Sequence, residues 1–318
     1  IAGAMLGYVT VFYMIGSQYF GVWVPADVSD YDNAFSTVIP WIYPLLVGLT
    51  AATMEEFFFR LLAITLLLKW LKRPWLAVLL PAIVWAFLHS NYPIEPIYAR
   101  GVELTLVGVL FGIAFLRYGI WAPIIAHYAF NAFLTALPMM KSTSAYFQIS
   151  GILVTGILLL PAIPALIAVI AGKGQEEAEE PEPLPVPVPE AEDTFPSEEE
   201  VPAEPGPAVQ NDHSTYELDN RKWLLVAIFG ALGIALTWVF QVDRFASSAT
   251  VSVSRSEAVE QAKEFCAKMR LDVSDYRQSV AFQNRSSLSS FTHLVRRAGF
   301  AKAESLAVEE TELWRWHI

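Results

Sequence analysis

Long apolar runs fill the first 171 residues, and they restrict the possible fold more than any other feature. A helix needs about 20 apolar residues to cross the ~30 Å hydrocarbon core of a bilayer. Runs suited to membrane helices are Ile1–Phe20, Ile39–Trp70, Pro74–His89, Val102–Leu116, Ile120–Leu137 and Tyr146–Ala171. The sequence therefore predicts a mostly α-helical, integral, multi-pass membrane protein in which residues 1–171 form a polytopic bundle of about six helices.

The composition changes abruptly at residue 172. Residues 172–222 contain fifteen acidic and three basic residues and an alternating proline run at 181–189. Such a segment cannot bury enough apolar surface to offset its loss of chain entropy on folding. We predict a disordered, acidic, proline-rich linker that acts as a spacer, with recognition of its prolines by a partner as the alternative.

The excess negative charge of the chain, −11 overall, lies in this linker. No basic surface suited to nucleic acid stands out elsewhere. Cys266 is the single cysteine, which excludes an internal disulfide and a site of several thiolate ligands. The expected partner of the apolar runs is membrane lipid.

Two further segments follow the linker. Residues 223–241 are an apolar run that predicts one more transmembrane helix, and residues 242–318 have the mixed composition of a small extramembrane α+β domain. The elements expected there are a helix from Ser254 to Met269 that begins with a Ser254–Glu257 capping box, a strand at Tyr276–Phe282, a helix at Ser287–Ala298 that stops at Gly299, and a strand at Glu312–Ile318. Nothing in these residues indicates their partner. Because the sequence begins with Ile1 and ends in an expected strand, we expect a fragment whose last domain is incomplete.

The basic residues indicate an orientation. If the helices alternate in direction, one side of the membrane receives Lys69, Lys72, Arg73, Arg117 and Lys173, and the other receives Arg100 and Lys141. Basic residues concentrate on cytoplasmic loops, so the first side is predicted to be cytoplasmic and the C-terminal domain extracytoplasmic. The acidic linker and the multidomain tail favour a bacterial cytoplasmic membrane.

Met54–Arg60 places two carboxylates and a guanidinium inside the second apolar run. An ionised group at bilayer depth is costly unless it is paired or lines a wet cavity. Glu56 and Arg60 are four residues apart and can pair on one helix face, whereas Glu55 lies about 100° round the helix. Glu55 is therefore the candidate for chemistry. The alternative is a hydrated helix end at the cytoplasmic surface.

Three more polar side chains stand in later apolar runs: His89, and the pair His127 and Asn131, which are four residues apart. Glu55 could take a proton from water while His89 orients or shares it. A neutral His127 imidazole and the Asn131 amide could donate hydrogen bonds to the oxygen of a tetrahedral intermediate. The lengths of the helices permit these groups to meet in one cavity.

The same residues leave a second chemistry open. Glu55, His89 and His127 together with water satisfy the ligand count of a catalytic Zn²⁺ site. The metal-free reading is favoured because no His-Glu-x-x-His pairing presents two ligands from one helix. Each histidine by itself could instead be a polar residue that joins helices.

Taken together, Glu-Glu-x-x-x-Arg at 55–60, aromatic-x-x-x-His at 85–89 and His-x-x-x-Asn at 127–131 resemble the CAAX prenyl endopeptidase and bacteriocin-processing (CPBP, or Abi) family of intramembrane proteases. The stretch 108–131 is similar to the third motif region of that family. The resemblance covers Leu46–Asn131 and implies an endopeptidase that acts on prenylated C-terminal tails or other hydrophobic peptides.

By this resemblance, Glu55 would be the general base and His89 its partner on the water. His127 and Asn131 would form the oxyanion site.

The same resemblance implies supporting roles around them. Glu56 and Arg60 would hold the site together. Trp85 stands where the family usually has phenylalanine. We expect its packing role to survive and the cavity to be narrower.

Two other classes of function are compatible with the same residues. One is a non-catalytic membrane scaffold or immunity-type binding protein, which a glutamine in place of Glu55 would have favoured. The other is a transporter or proton relay, because buried Glu and His also mark ion paths. The motif does not repeat in a second half, as inverted-repeat transporters would require.

Overall fold

The computed structural model describes residues 1–25, 32–92, 94–161, 163–164, 167, 220–239, 244–245, 251–275, 277–284, 288–310 and 314–318. The chain divides into two units, Ile1–Leu160 with Asp219–Ile318, and Pro161–Leu218. Residues 172–219 of the predicted linker lie outside the described residues, so the linker stays a prediction.

Helices make up most of the described chain, as the sequence predicts. They are α1 (Ala2–Tyr19), α2 (Asp32–Ser36), α3 (Ile42–Glu56), the π-helix π1 (Phe57–Ile64), α4 (Thr65–Leu71), α5 (Pro74–Phe87), α6 (Tyr98–Tyr118), α7 (Trp121–Met140), α8 (Ala145–Leu159), α9 (Asn220–Val239), α10 (Arg255–Lys268), α11 (Leu288–Ala298) and α12 (Phe300–Glu310). The strands are β1 (Val24–Pro25), β2 (Arg244–Phe245), β3 (Ala281–Asn284) and β4 (Trp314–His317).

The second apolar run of the sequence forms α3, π1 and α4 without a break. Pro44 lies in the first turn of α3, where a missing N–H does not interrupt the helix. The hydrogen-bonding pattern changes instead at Phe57, directly after the two glutamates. Pro74 begins α5 in the same tolerated position, as predicted.

The helices before residue 160 enclose a shared apolar core. α3 packs on α7, α5 packs on α6, and α7 also packs on α8. Trp85 of α5, Phe111 of α6 and Phe130 of α7 belong to one buried cluster. The polar side chains of α3, α5 and α7 therefore face a common interior.

One helix in the described part of the chain, α6, is long and apolar enough to cross a membrane. α5, α8 and Ile228–Thr237 within α9 are shorter apolar helices. Large apolar side chains also remain exposed on the outer faces, among them Leu46, Phe58 and Leu153. This surface is consistent with a polytopic bundle, and the predicted number of spans stays a prediction.

Residues 223–239 of the apolar run predicted as an additional span lie in helix α9, and the crossing of a membrane by this helix stays a prediction. It packs along α1 through glycines: a Cβ atom added to Gly7 would lie 2.7 Å from the Cα of Gly233. One added to Gly3 would lie 2.9 Å from the Cα of Gly230. The two backbones are therefore in direct contact, and α9 does more than tether the residues that follow it.

The C-terminal residues contain the expected capping box. Ser254 accepts a hydrogen bond from the Glu257 backbone N–H, and the Ser254 backbone N–H donates to Glu257 Oε2 at 2.7 Å. The Ser254 backbone N–H and hydroxyl both donate to the Glu257 carboxylate, and these two bonds lower the pKa of that carboxyl. β3 starts at Ala281, five residues after the expected start of the first strand, and pairs antiparallel with β4.

Gly299 ends its helix as predicted, and the structure adds a helix for which no prediction was made. This residue has a positive φ of 77° and ends α11, but a second helix, α12, begins immediately after it. The segment Phe300–Glu310 contains three Ala and three Glu residues, which favour helix. Gly299 is therefore the turn of a helical hairpin.

The C-terminal elements pack against the helical part. The Phe282 ring lies 5.4 Å from Phe35, which lies 4.8 Å from Phe147. The Phe282 backbone N–H donates to Ser36 Oγ at 2.8 Å. Phe282 belongs to the same buried cluster as Ala132 of α7. Within this unit the C-terminal elements are thus docked.

A second connection runs through Trp23. Its backbone exchanges two hydrogen bonds with Glu95, just before α6. Its side chain packs against Ala303 and Ala307 of α12, both fully buried. This residue therefore links the C-terminal hairpin to the loop that leads into α6.

Candidate active site

The pair expected from the spacing of Glu56 and Arg60 is present. Arg60 Nε lies 3.1 Å from Glu56 Oε2, and both side chains are fully buried. The other oxygen, Glu56 Oε1, lies 2.8 Å from Nδ1 of His127 on α7. The Glu56 carboxylate therefore joins α3 to α7 and compensates the buried guanidinium.

Aromatic rings cover the remaining faces of Arg60. Its Cζ atom lies 4.4 Å from the centre of the Trp85 ring and 5.2 Å from that of Phe111. A guanidinium over an aromatic face is attracted by the ring quadrupole, most strongly by tryptophan. These contacts stabilise a cation that would otherwise be costly to bury.

Glu55 lies on a different face of the helix and remains partly accessible, with 26% of its side chain exposed. Its Oε2 atom accepts a hydrogen bond from Trp85 Nε1 at 2.5 Å. The same oxygen lies 3.8 Å from His89 Nε2 and 4.0 Å from His127 Nε2. Two imidazoles therefore converge on one carboxylate oxygen.

The partners of the two imidazoles determine their tautomers. His89 Nδ1 lies 2.7 Å from the Trp85 carbonyl oxygen, which can only accept, so Nδ1 carries the hydrogen. His127 Nδ1 lies 2.8 Å from an oxygen of the Glu56 carboxylate, which can only accept, and so it also donates. When either imidazole is neutral, its Nε2 atom is an acceptor directed at Glu55.

The hydrogen bond at His127 Nδ1 changes the protonation state in which His127 could bind an oxyanion. The sequence predicted that a neutral His127 would donate to an oxyanion, but its neutral form presents a lone pair at Nε2. Only the doubly protonated imidazole donates from Nε2, and Glu56 on the other nitrogen stabilises that cation. Any oxyanion role of His127 therefore requires its protonated form.

The four residues predicted to be catalytic line one cavity of about 100 Å³. They are Glu55, His89, His127 and Asn131, and Trp85 lines the cavity with them. Its volume accommodates a few water molecules. The positions therefore agree with the predicted convergence, although their catalytic roles stay predictions.

A second buried ion pair lies beside this cavity, and sequence reasoning missed it. Arg100 Nη1 lies 2.6 Å from Glu103 Oε2. Tyr13 of α1 donates its hydroxyl to the same oxygen at 2.9 Å. Arg100 lines the cavity, and its Cζ atom lies 5.4 Å from the Tyr92 ring, which stacks on His89 at 5.8 Å.

The signal for this pair was in the sequence. Arg100 and Glu103 are three residues apart at the start of an apolar helix, which is the same argument that selected Glu56 and Arg60. In the sequence, Arg100 contributes only to the predicted orientation of the chain in the membrane, and its pairing with Glu103 was not predicted.

A metal centre was the alternative for this site. Among the described residues, no group of three or more His, Cys, Asp or Glu side chains is placed to hold a metal ion. Glu55, His89 and His127 are suitable ligand types, and both Nδ1 atoms have the outer hydrogen bonds common for metal ligands. The observed donor separations, 3.8 and 4.0 Å, exceed the ~3.3 Å of neighbouring ligands in a tetrahedral zinc site. The choice between the metal-free reading and the zinc alternative therefore stays a prediction.

Known proteins are similar to this chain in the region that contains the candidate active site. Residues 37–133 match the family model described as "Type II CAAX prenyl endopeptidase Rce1-like". A segment of 97 residues is 23% identical to the sporulation-killing factor biosynthesis protein SkfC of Bacillus subtilis (strain 168), covering 30% of this chain. The chain spans about a fifth of the length of that relative, 20%. No solved structure matches the chain.

The matched residues include every motif on which the resemblance rested, from Glu55 to Asn131. The Rce1-like family is a family of membrane proteases, which supports a hydrolase and a membrane location. The number of spans and the side on which the C-terminal residues lie are not tested by this match. The resemblance to CAAX prenyl endopeptidases inferred from the sequence is therefore confirmed over residues 37–133, which are similar to the Rce1-like family.

Proposed function

We propose that this protein is an intramembrane endopeptidase that hydrolyses a peptide bond in a hydrophobic or lipidated peptide at the bilayer. The family match supports the reaction class. The observation that carries the proposal is the partly exposed Glu55 carboxylate, which faces two imidazoles in one cavity.

Glu55 acts as the general base. The neighbouring Glu56 carboxylate is fully buried and bound to Arg60 and His127, so it is not available to a substrate. Glu55 removes a proton from water as the water oxygen attacks the peptide carbonyl carbon. The Nε2 atom of neutral His89 accepts a hydrogen bond from that water and keeps it oriented.

The carbonyl oxygen then carries negative charge. A protonated His127 and the Asn131 amide donate hydrogen bonds to it, and Glu56 stabilises the imidazolium from behind. Collapse of the tetrahedral intermediate breaks the C–N bond, and the proton held by Glu55 passes to the leaving nitrogen. The products are a carboxylic acid and an amine.

The first prediction tests this base. The full chain is purified in lipid and assayed with a set of quenched hydrophobic peptides, with and without a lipid group. Glu55→Gln should lower kcat/KM by roughly a hundredfold to ten-thousandfold, the range for loss of a general base. Glu260→Gln, on the exposed face of α10, is the matched control and should retain wild-type activity.

A chelator separates the two chemistries. Wild-type activity that survives chelation supports a metal-free Glu55, whereas activity that chelation abolishes and Zn²⁺ restores supports the metal alternative. Equal activity of wild type and Glu55→Gln would contradict the proposal and favour a scaffold or immunity-type binding protein.

A further inference from the structure

The bond between Trp85 and Glu55 is unlike a packing contact. The indole Nε1–H donates to Glu55 Oε2 at 2.5 Å, and the indole is almost completely buried. A hydrogen bond between a neutral donor and a carboxylate is stronger than one between two neutral groups. Burial next to apolar rings limits competition from water and strengthens it further.

The same indole contacts the other functional side chains. Its ring lies 5.1 Å from the His89 ring and 5.9 Å from the His127 ring, in edge-on arrangements. Its backbone carbonyl accepts the hydrogen bond that sets the His89 tautomer. One residue therefore contacts the carboxylate and both imidazoles.

Arg60 lies over the face of this indole, with 4.4 Å between its Cζ atom and the ring centre. A cation over an aromatic face withdraws electron density from the ring. The indole N–H thereby becomes a better donor, since neighbouring charges polarise hydrogen bonds at low dielectric. The buried Arg60 thus acts on Glu55 through Trp85, although Arg60 itself pairs with Glu56.

Phenylalanine cannot supply this bond. It offers a similar apolar ring but has no N–H, so the departure at position 85 adds a donor and not only volume. We infer that Trp85 is a positioning residue of the proposed base: its N–H, strengthened by Arg60, holds the Glu55 carboxylate toward both imidazoles. This inference rests on the proposed function.

The second prediction concerns Trp85→Phe, which keeps an aromatic ring and removes the donor. We expect kcat to fall by roughly ten- to a hundredfold, the equivalent of one hydrogen bond to a charged group, with KM changed less than about twofold. Trp121→Phe, an exposed tryptophan at the start of α7, is the control. A folded Trp85→Phe protein with wild-type kcat would overturn the inference.

A spectroscopic measurement avoids dependence on the folding of that variant. In wild-type protein with ¹⁵N-labelled tryptophan, the Trp85 indole N–H should show the downfield proton shift of a strong hydrogen bond. Glu55→Gln should move this resonance upfield, because a neutral amide is a weaker acceptor.

The outcomes separate the two claims. If Glu55→Gln abolishes activity but leaves the chemical shift of the Trp85 indole N–H unchanged, the inference about Trp85 is contradicted and the proposal that Glu55 is the base still holds. Retained activity in Glu55→Gln contradicts the proposed function, whatever the resonance does.

Discussion

Three carboxylates of the helical part, Glu55, Glu56 and Glu103, differ in how their charge is compensated. Glu56 is bound by Arg60 and His127, and Glu103 by Arg100 and Tyr13. Glu55 has the Trp85 N–H and two imidazoles. The two fully buried carboxylates are thus closed to a substrate, and the partial exposure of Glu55 is the ground for proposing it as the base.

The third prediction follows from the Arg100–Glu103 pair. Arg100→Met leaves the Glu103 carboxylate buried without its cation, which should lower the free energy of unfolding by roughly 3–5 kcal/mol. Glu103→Gln added to that variant removes the uncompensated charge and should restore part of the loss. Thermal unfolding of the single and double variants in lipid measures the loss of stability and its partial recovery. Strictly additive losses would contradict an energetic coupling between the two side chains.

Sequence reasoning found Glu55, Glu56, Arg60, His89, His127 and Asn131 because a polar group in an apolar helix is costly and so conspicuous. It did not find the donor role of Trp85, since the direction of an indole N–H depends on packing between helices. The tautomer of His127 likewise depends on Glu56, which is 71 positions away in the chain.

At the scale of elements, the contact of α1 with α9 depends on glycine. Gly3 and Gly7 of α1 and Gly233 of α9 lie so close to the backbone of the other helix that there is no room for a Cβ atom on any of the three. The apolar run 223–241 predicted the helix, but no periodicity indicates which neighbour a uniformly apolar helix selects.

The fourth prediction tests this contact. Gly7→Leu should force α1 and α9 apart and lower the free energy of unfolding by roughly 1–3 kcal/mol, the usual cost of overpacking. Gly156→Leu on α8 is the control, because nothing lies within 4 Å of a Cβ atom added there. Thermal unfolding in lipid compares the stabilities of Gly7→Leu and Gly156→Leu. Equal stability of the two variants would contradict a close backbone contact between α1 and α9.

At the scale of the whole molecule, the C-terminal elements are docked on the helical part and are not held by a tether alone. Phe282 and Trp316 share a buried cluster with Phe35 and with residues of α7, the helix that carries His127 and Asn131. The sequence predicted the local elements here better than their docking. Long-range contacts between short elements leave no periodic signal. Gly299 ends its helix as predicted, but no prediction covered the helix that follows it.

The fifth prediction concerns this docking. Phe282→Ala should cost roughly 3–5 kcal/mol, typical for a buried phenylalanine, and should release the contacts with α2. Hydrogen exchange should then speed up in Asp32–Ser36 as well as in β3. Phe265→Ala, which removes an exposed ring from α10, is the control. Unchanged protection of α2 in Phe282→Ala would contradict docking.

The π-helix after Glu56 has a consequence for how chains of this kind can change in length during evolution. Its wider turns hold more residues than α-helical turns, so a deletion of one residue after Arg60, within 61–64, can be absorbed by a return to α-helical spacing and leaves the Glu56–Arg60 pair intact. A deletion within α3 cannot be absorbed in this way and would turn Glu55 by about 100° relative to the preceding residues. Single deletions are therefore expected to be tolerated after Arg60 and excluded within α3.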